Sequence, residues 1–270
     1  MKARLIVAGV GLPLLILMLL FLPVGVTAAV VAAICGFAVY ELLWATGLLR
    51  NVRILVVCAL MAGFTCLWSC LGMPGRAMQI AVYLFAAYLF GELLAAKTEL
   101  NFTLICLAAF AGLGVPYLLS AIIRILAGEN GRYLVYAPFV MTMVPDSGAF
   151  LVGRKLGRHK LAPAISPHKS TEGVAGGVVS GILAMLLYGF ILSRLGFRVN
   201  YLYAAVYGLL GSIGSVAGDL VFSTIKRQHG IKDFGHLLPG HGGALDRFDS
   251  TTVVAPLAEL LLLLIPFAVK

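Results

Sequence analysis

From Ser223 to Asp249 the chain reads Ser-x2-Lys-Arg-x4-Lys-Asp-x-Gly, then Pro239-Gly240-His241-Gly242-Gly243, then Asp246-Arg247-x-Asp249. Three kinds of chemistry meet there. Hard carboxylate oxygens with no cysteine beside them suit Mg²⁺, which commonly takes one or two carboxylates plus substrate phosphates. Two adjacent glycines let backbone N–H groups turn toward one anion. Lys226, Arg227, Lys232 and Arg247 supply the charge that phosphate oxygens need. Alone, the Pro-Gly-His-Gly-Gly run would be an ordinary loop and the Asp-Arg-Phe-Asp run a helix cap. Together they describe a seat for a phosphate-rich, metal-bound ligand.

Two further carboxylates lie in apolar stretches that lead into basic loops. Ser215, Asp219 and Ser223 fall at i, i+4 and i+8, so a helix through 201–222 that continues one turn presents them on one face. A carboxylate in apolar surroundings is costly unless it is paired or bound to a cation. A structural ion pair of Asp219 with Lys226 or Arg227 would satisfy it equally, although Asp246 and Asp249 add hard ligands nearby. If the chain turns helical at 246, Asp246 and Asp249 face the same way. Asp146 precedes the other loop, which runs through Arg154, Lys155, Arg158 and Lys160 to Ser166-Pro167-His168-Lys169-Ser170-Thr171. The first four cations are natural membrane-surface anchors, whereas Lys169 followed by two hydroxyls reads as a grip on a triphosphate. Gly173, Gly176 and Gly177 would permit close helix approach beneath it.

The elements that must carry these groups are membrane-spanning helices. Of 270 residues, 61% are hydrophobic and only 11% charged, well outside the soluble globular range. A spanning helix needs about 20 apolar residues. Nine stretches qualify: 4–23, 26–48, 54–73, 77–96, 102–123, 133–152, 174–193, 201–222 and 251–269. Alternating barrel patterning is absent, so the expected fold class is all-α, a polytopic integral membrane protein of about nine transmembrane helices. The first stretch is too long, and too closely followed by others, to read as a cleaved signal. Of the 20 Lys and Arg, a cytoplasmic N-terminus leaves only Arg76, Arg124, Arg132, Arg194, Arg198 and Lys270 outside, in accord with the positive-inside rule. The formal charge of +9 therefore faces lipid headgroups and cytosolic anions rather than nucleic acid. The expected organisation is a scaffold of helices over 1–130 and a catalytic part over 131–270, with cytoplasmic loops 153–173 and 223–250 and the site at that face.

The N-terminal half offers little chemistry. Cys35, Cys58, Cys66, Cys70 and Cys106 lie in apolar spans without metal-ligand spacing and read as packing residues. Glu41 and Glu92 fall near cytoplasmic helix ends, where snorkelling or a helix–helix hydrogen bond accounts for them. Glu259 sits deeper and receives no assignment.

Both loops resemble those of the phosphatidate cytidylyltransferases, the CDP-diacylglycerol synthases. The resemblance rests on Ser223–Asp249 and on the Asp146-Ser147-Gly148-Ala149-Phe150 to Glu172-Gly173 region. Ala244 stands where a larger aliphatic residue is expected, and Ser170 stands where threonine is usual. The resemblance implies condensation of CTP with phosphatidic acid to give CDP-diacylglycerol and pyrophosphate. It implies Mg²⁺, as one ion, a pair, or one with a monovalent cation beside it. Asp219 and Asp246 are then the leading metal ligands, with Asp249 and Asp146 next. Lys226, Arg227 and Arg247 neutralise transferred or leaving phosphates, with Lys232 beside them. Ser166, Lys169, Ser223 and the Gly240, His241, Gly242 and Gly243 backbone are substrate-binding candidates. The implied partners are CTP, phosphatidic acid and membrane lipids, with a homodimer left open. The implied location is the inner (plasma) membrane, N-terminus cytoplasmic and C-terminus outside. The rivals are a CTP-dependent polyprenol or phytol kinase and a membrane transporter. The first is disfavoured by the complete glycine–aspartate motif. The second is disfavoured by the confinement of polar residues to one face and one half of the chain.

Overall fold

In the computed structural model, residues 15–95, 100–235 and 243–270 are described. Seven helices among them are long and apolar enough to cross a membrane. They are α1 (Val24–Ala45), α2 (Val52–Leu71), α3 (Gly75–Ala95), α4 (Phe102–Ala127), α5 (Gly131–Leu156), α6 (Thr171–Arg194) and α7 (Tyr201–Gln228). An eighth, α8 (Leu245–Leu264), carries Asp246, Arg247, Asp249 and Glu259 and so is more polar. The chain is a multi-pass helical membrane protein. Of the predicted spans, 4–23 lies mostly outside the described residues, and 251–269 coincides with much of α8.

The breaks and starts have local causes. Asn51 and Asn101 accept backbone N–H groups at the starts of α2 and α4. Asn200 does the same for α7. These side chains satisfy donors that no preceding turn can reach. The last turn of α1, Glu41–Ala45, is a π-turn.

The loop expected over 153–173 is shorter and more ordered than the sequence suggests. Helix α5 continues to Leu156, and an antiparallel hairpin follows, β1 (Lys160–Ala162) with β2 (Ser166–Ser170). Ser170 caps α6 by accepting the Gly173 N–H at 3.1 Å. Glu172 accepts the backbone N–H groups of Arg158 and His159 and lies 2.6 Å from His159 Nδ1. The hairpin is thus tied to the first turn of α6. The loop expected over 223–250 is likewise trimmed, because α7 runs to Gln228 and α8 starts at Leu245. A second small sheet joins β3 (Arg198–Val199) to β4 (Ala268–Val269).

The chain divides into two compact units: Met1–Ala127 with Asp233–Arg247, and Gly128–Lys232 with Phe248–Lys270. In the first, α1 packs on α2, and α2 packs on α3 and α4. In the second, α6 lies between α5 and α7, and α5 also touches α7. Glycines make those approaches possible. A Cβ on Gly177 would stand 3.0 Å from the Pro145 carbonyl, and one on Gly173 would stand 2.9 Å from that of Ala149. A Cβ on Gly176 would run into the Val152 side chain. The three glycines of α6 therefore seat it on α5, as their sequence positions predict. A Cβ on Gly208 would lie 2.5 Å from the Ile182 Cα, and one on Gly218 3.0 Å from the Ser250 Cα. These close approaches hold α5, α6, α7 and the second-unit part of α8 together.

Candidate active site

The second unit gathers residues from four elements, α5, β2, α7 and α8. Helix α7 extends past residue 222 as the Ser215–Asp219–Ser223 stripe requires. Lys169, near the end of β2, reaches α7, where its Nζ lies 2.5 Å from Asp219 Oδ2. The other oxygen of that carboxylate accepts the Ser223 hydroxyl at 3.0 Å. Asp219 is therefore paired through Lys169, and the alternative of an ion pair with Lys226 or Arg227 is not how its Oδ2 is satisfied.

Asp146 on α5 is held from the same stripe. Its Oδ1 accepts the Ser215 hydroxyl at 2.7 Å. The Ser215 carbonyl in turn accepts the Ser250 hydroxyl at 3.2 Å, so one residue of α7 hooks both α5 and α8. Asp249 precedes the predicted span 251–269, and its Oδ1 accepts the Ser250 N–H at 2.6 Å. Burial and then the neighbouring Asp219 carboxylate push the Asp249 carboxyl up to about 7, with Asp146 adding to the rise and Lys226 opposing it. Three aspartates thus feel one another's charge. Lys226 is buried on α7. Arg227 is exposed and donates from Nε to the Ile165 carbonyl at 3.3 Å and from Nη1 to the Ile231 carbonyl at 3.1 Å. Its guanidinium is thereby laid against the hairpin turn next to Ser166. Lys232 is exposed.

The remaining candidates belong to the first unit or lie outside the described residues. Asp246 Oδ2 accepts the N–H groups of Phe234 and Gly243, each at 3.0 Å. Arg247 is exposed in the first turn of α8. Gly240, His241 and Gly242 are outside the described residues.

Three features escaped sequence reasoning. The Lys169–Asp219 contact joins separate motifs, and no spacing encodes it. Ser250 follows Asp249 directly, and only its polarity marks it. Glu41 was expected to snorkel or to bond another helix; it is 2% exposed and does the second, with a partner that no spacing encodes. Its carboxylate accepts the Ala244 N–H at 2.8 Å and the Leu245 N–H at 2.9 Å. Glu92 accepts the Tyr88 hydroxyl at 3.0 Å and lies 3.8 Å from Arg53. That pair lines a cavity of about 690 Å³ in the first unit, which contains none of the predicted site residues.

Among the described residues, no three carboxylate, histidine or cysteine side chains stand close enough to enclose a metal ion by themselves. The donor chemistry nevertheless fits a hard divalent cation. Asp219 already binds a positive charge, and the mutual repulsion of Asp219, Asp146 and Asp249 leaves negative charge for a cation to offset. Mg²⁺ needs only one or two protein carboxylates when phosphates complete its shell.

The second unit thus brings together a lysine on a carboxylate, hydroxyl-held aspartates and an arginine laid against the hairpin turn. Residues 2–265 match the model of the cytidylyltransferase family. The chain belongs to that family. Similar proteins named phosphatidate cytidylyltransferase occur in staphylococci. That of Staphylococcus haemolyticus is 38% identical over 158 residues, 58% of each chain. That of Staphylococcus epidermidis strain RP62A is 39% identical over 156 residues, 57% of this chain and 56% of the relative. That of Staphylococcus aureus strain COL is 39% identical over 158 residues, again 58% of each. This cytidylyltransferase-family chain thus spans a little over half the length of the relatives it matches.

Proposed function

We propose that this chain is a phosphatidate cytidylyltransferase, which joins CTP to phosphatidic acid and releases pyrophosphate. The observation that carries the reading is the Lys169–Asp219 contact, set among Asp146, Asp249, Lys226 and Arg227. Family membership and the names of the staphylococcal relatives support it.

Both reactants are polyanions, so the protein's first task is to make their approach tolerable. Lys169 leaves Asp219 for the CTP phosphates as the nucleotide arrives, and Lys226, Arg227 and Arg247 offset charge on the transferred and leaving groups. Ser166, Ser223, Lys232 and the Gly240–Gly243 backbone, with His241, complete the nucleotide seat. A phosphate oxygen of phosphatidic acid attacks the α-phosphorus in line. One P–O bond forms as the α–β bridging bond breaks, and pyrophosphate carries away the electron pair. No general base is needed, because the attacking oxygen is ionised near neutral pH. Positioning and charge neutralisation supply most of such catalysis. Asp219 and Asp246, with Asp249 and Asp146, would hold Mg²⁺. When bound, the ion neutralises phosphate oxygens and draws the two anions together.

In this reading nine spans thread the inner membrane from a cytoplasmic N-terminus to an outer C-terminus. The helices over 1–130 form the scaffold, and those over 131–270 carry catalysis at the cytoplasmic face. Phosphatidic acid enters sideways from the bilayer while CTP arrives from the cytosol. The test is to incubate the purified protein with phosphatidic acid, Mg²⁺ and CTP labelled separately at the α and γ positions. Alpha label in the lipid with pyrophosphate released supports the reading. Gamma label in an added prenol makes the protein a lipid kinase, and transfer of neither label returns it to the transporter class.

A further inference from the structure

We infer that Glu41 is a positioning residue for the Asp246 loop, although it lies in the half of the chain expected to be scaffold. The inference rests on the cytidylyltransferase reading for its catalytic consequence but not for its geometry.

A carboxylate that is 2% exposed in an apolar helix is tolerated only with strong partners. Those of Glu41 are two successive backbone donors, the Ala244 and Leu245 N–H groups at the start of α8. Both belong to the same unit as Glu41. A helix start needs an acceptor, but a local Ser, Asp or Asn ordinarily supplies it. Here the acceptor comes from a residue two hundred positions earlier, at the first residue of a π-turn. Such turns recur where a helix re-aims a functional side chain.

Both flanks of the 236–242 stretch close on this carboxylate. A Cβ on Gly235 would lie 2.7 Å from Glu41 Oε1, and one on Gly243 2.5 Å from Oε2. A Cβ at either side would push the carboxylate from the position in which its two backbone donors hold it. Asp246 then ties the same flanks from within, accepting the Phe234 and Gly243 N–H groups. Two carboxylates therefore hold the described residues on either side of that stretch, Glu41 from α1 and Asp246 from α8. Glu41 sets where the first turn of α8 begins, and with it the position of Asp246 and Arg247. Its negative charge also suits a helix N-terminus.

The test uses the full-length protein in detergent, with Glu41→Gln and Gly235→Ala. Gln keeps the shape but removes the charge. Ala at 235 keeps the charge and presses on it, so it reads the same clamp should the first variant fail to fold. Hydrogen exchange over residues 233–247 is measured alongside the Mg²⁺ concentration giving half-maximal transfer. The expected result is at least tenfold faster exchange of the Ala244 and Leu245 amides. It is accompanied by a several-fold higher Mg²⁺ requirement and an unchanged KM for phosphatidic acid. Wild-type exchange in both folded variants overturns the inference. Faster exchange with an unchanged Mg²⁺ requirement reduces Glu41 to a structural cap and also overturns it. If the wild-type protein transfers no cytidylyl group, the proposed function fails while the exchange measurement still decides whether the clamp exists.

Discussion

Lys169 Nζ and Asp219 Oδ2 lie 2.5 Å apart, which ties the hairpin between α5 and α6 to the polar end of α7. The two side chains are 21% and 31% exposed, and ion pairs that solvent still reaches contribute little to stability, commonly under about 1 kcal/mol. The value of this one is its place: in the proposed reading it keeps a cation on a carboxylate where the anionic substrate and its metal would arrive.

Lys169→Ala is expected to raise KM for CTP while leaving the protein folded. Loss of one charge-assisted hydrogen bond, about 1.5–3 kcal/mol, corresponds to roughly ten- to hundredfold. Asp219→Asn is expected to lower kcat by about 10²–10³-fold, as removal of one preorganised charge-stabilising group does elsewhere. Because the two residues touch, the double variant is expected to lose less than the sum of the single effects. Steady-state kinetics with α-labelled CTP on all three proteins checks both statements. Additive losses would show that the contact has no part in the reaction.

Ser215 holds Asp146 by its hydroxyl and Ser250 by its carbonyl. Ser215→Ala removes the first hold and keeps the second. The expected stability loss is small, about 1 kcal/mol. The expected Mg²⁺ requirement rises, because Asp146 is then free to swing. Metal titrations of activity, with thermal melts as the control, separate the two effects.

Helix packing in the second unit depends on glycine where backbone meets backbone. A Cβ at 208 would lie 2.5 Å from the Ile182 Cα and 2.6 Å from the Gly181 carbonyl oxygen, and neither can rotate away. Gly208→Ala is expected to destabilise the protein by about 1–3 kcal/mol despite the better helix propensity of alanine. Gly25→Ala, with nothing within 4 Å, is the matched control and is expected to be neutral or stabilising. Thermal melts in one detergent decide it. Equal melting temperatures for both variants would contradict the packing account.

The Asp249 carboxyl is pushed up to about 7 by burial and by the Asp219 carboxylate. A metal ligand must be ionised, so in the proposed reading protons compete with Mg²⁺ at this residue. The sign follows: between about pH 6 and pH 8 the Mg²⁺ concentration for half-maximal activity is expected to fall as pH rises. Asp249→Asn is expected to flatten that dependence. A wild-type requirement that is level across the range would remove Asp249 from the ligand set.

Much of the architecture was legible because the bilayer constrains it. Hydropathy marks α1 to α7, since an apolar run of that length is stable as a helix in lipid. The stripe of Ser215, Asp219 and Ser223 was legible because helical periodicity alone sets its face. Gly173, Gly176 and Gly177 were legible as a packing surface for the same reason. The hairpin Lys160–Ser170 was not. Its strands are short and charged, and Glu172 holds them through backbone contacts that leave no periodic signature.

The sequence by itself determined the multi-pass helical class, the helices α1 to α7, and the inventory of carboxylates, cations and glycines on which the proposed phosphoryl chemistry would draw. Those follow from local composition and period, which a linear chain carries in full. The tertiary structure alone decided the pairings: Lys169 with Asp219, Ser215 with both Asp146 and Ser250, and Glu41 with the start of α8. Each pairing joins residues far apart in the chain. Any lysine or serine of the right reach would read the same in sequence. Which one arrives is settled only by how closely glycine lets the helices approach.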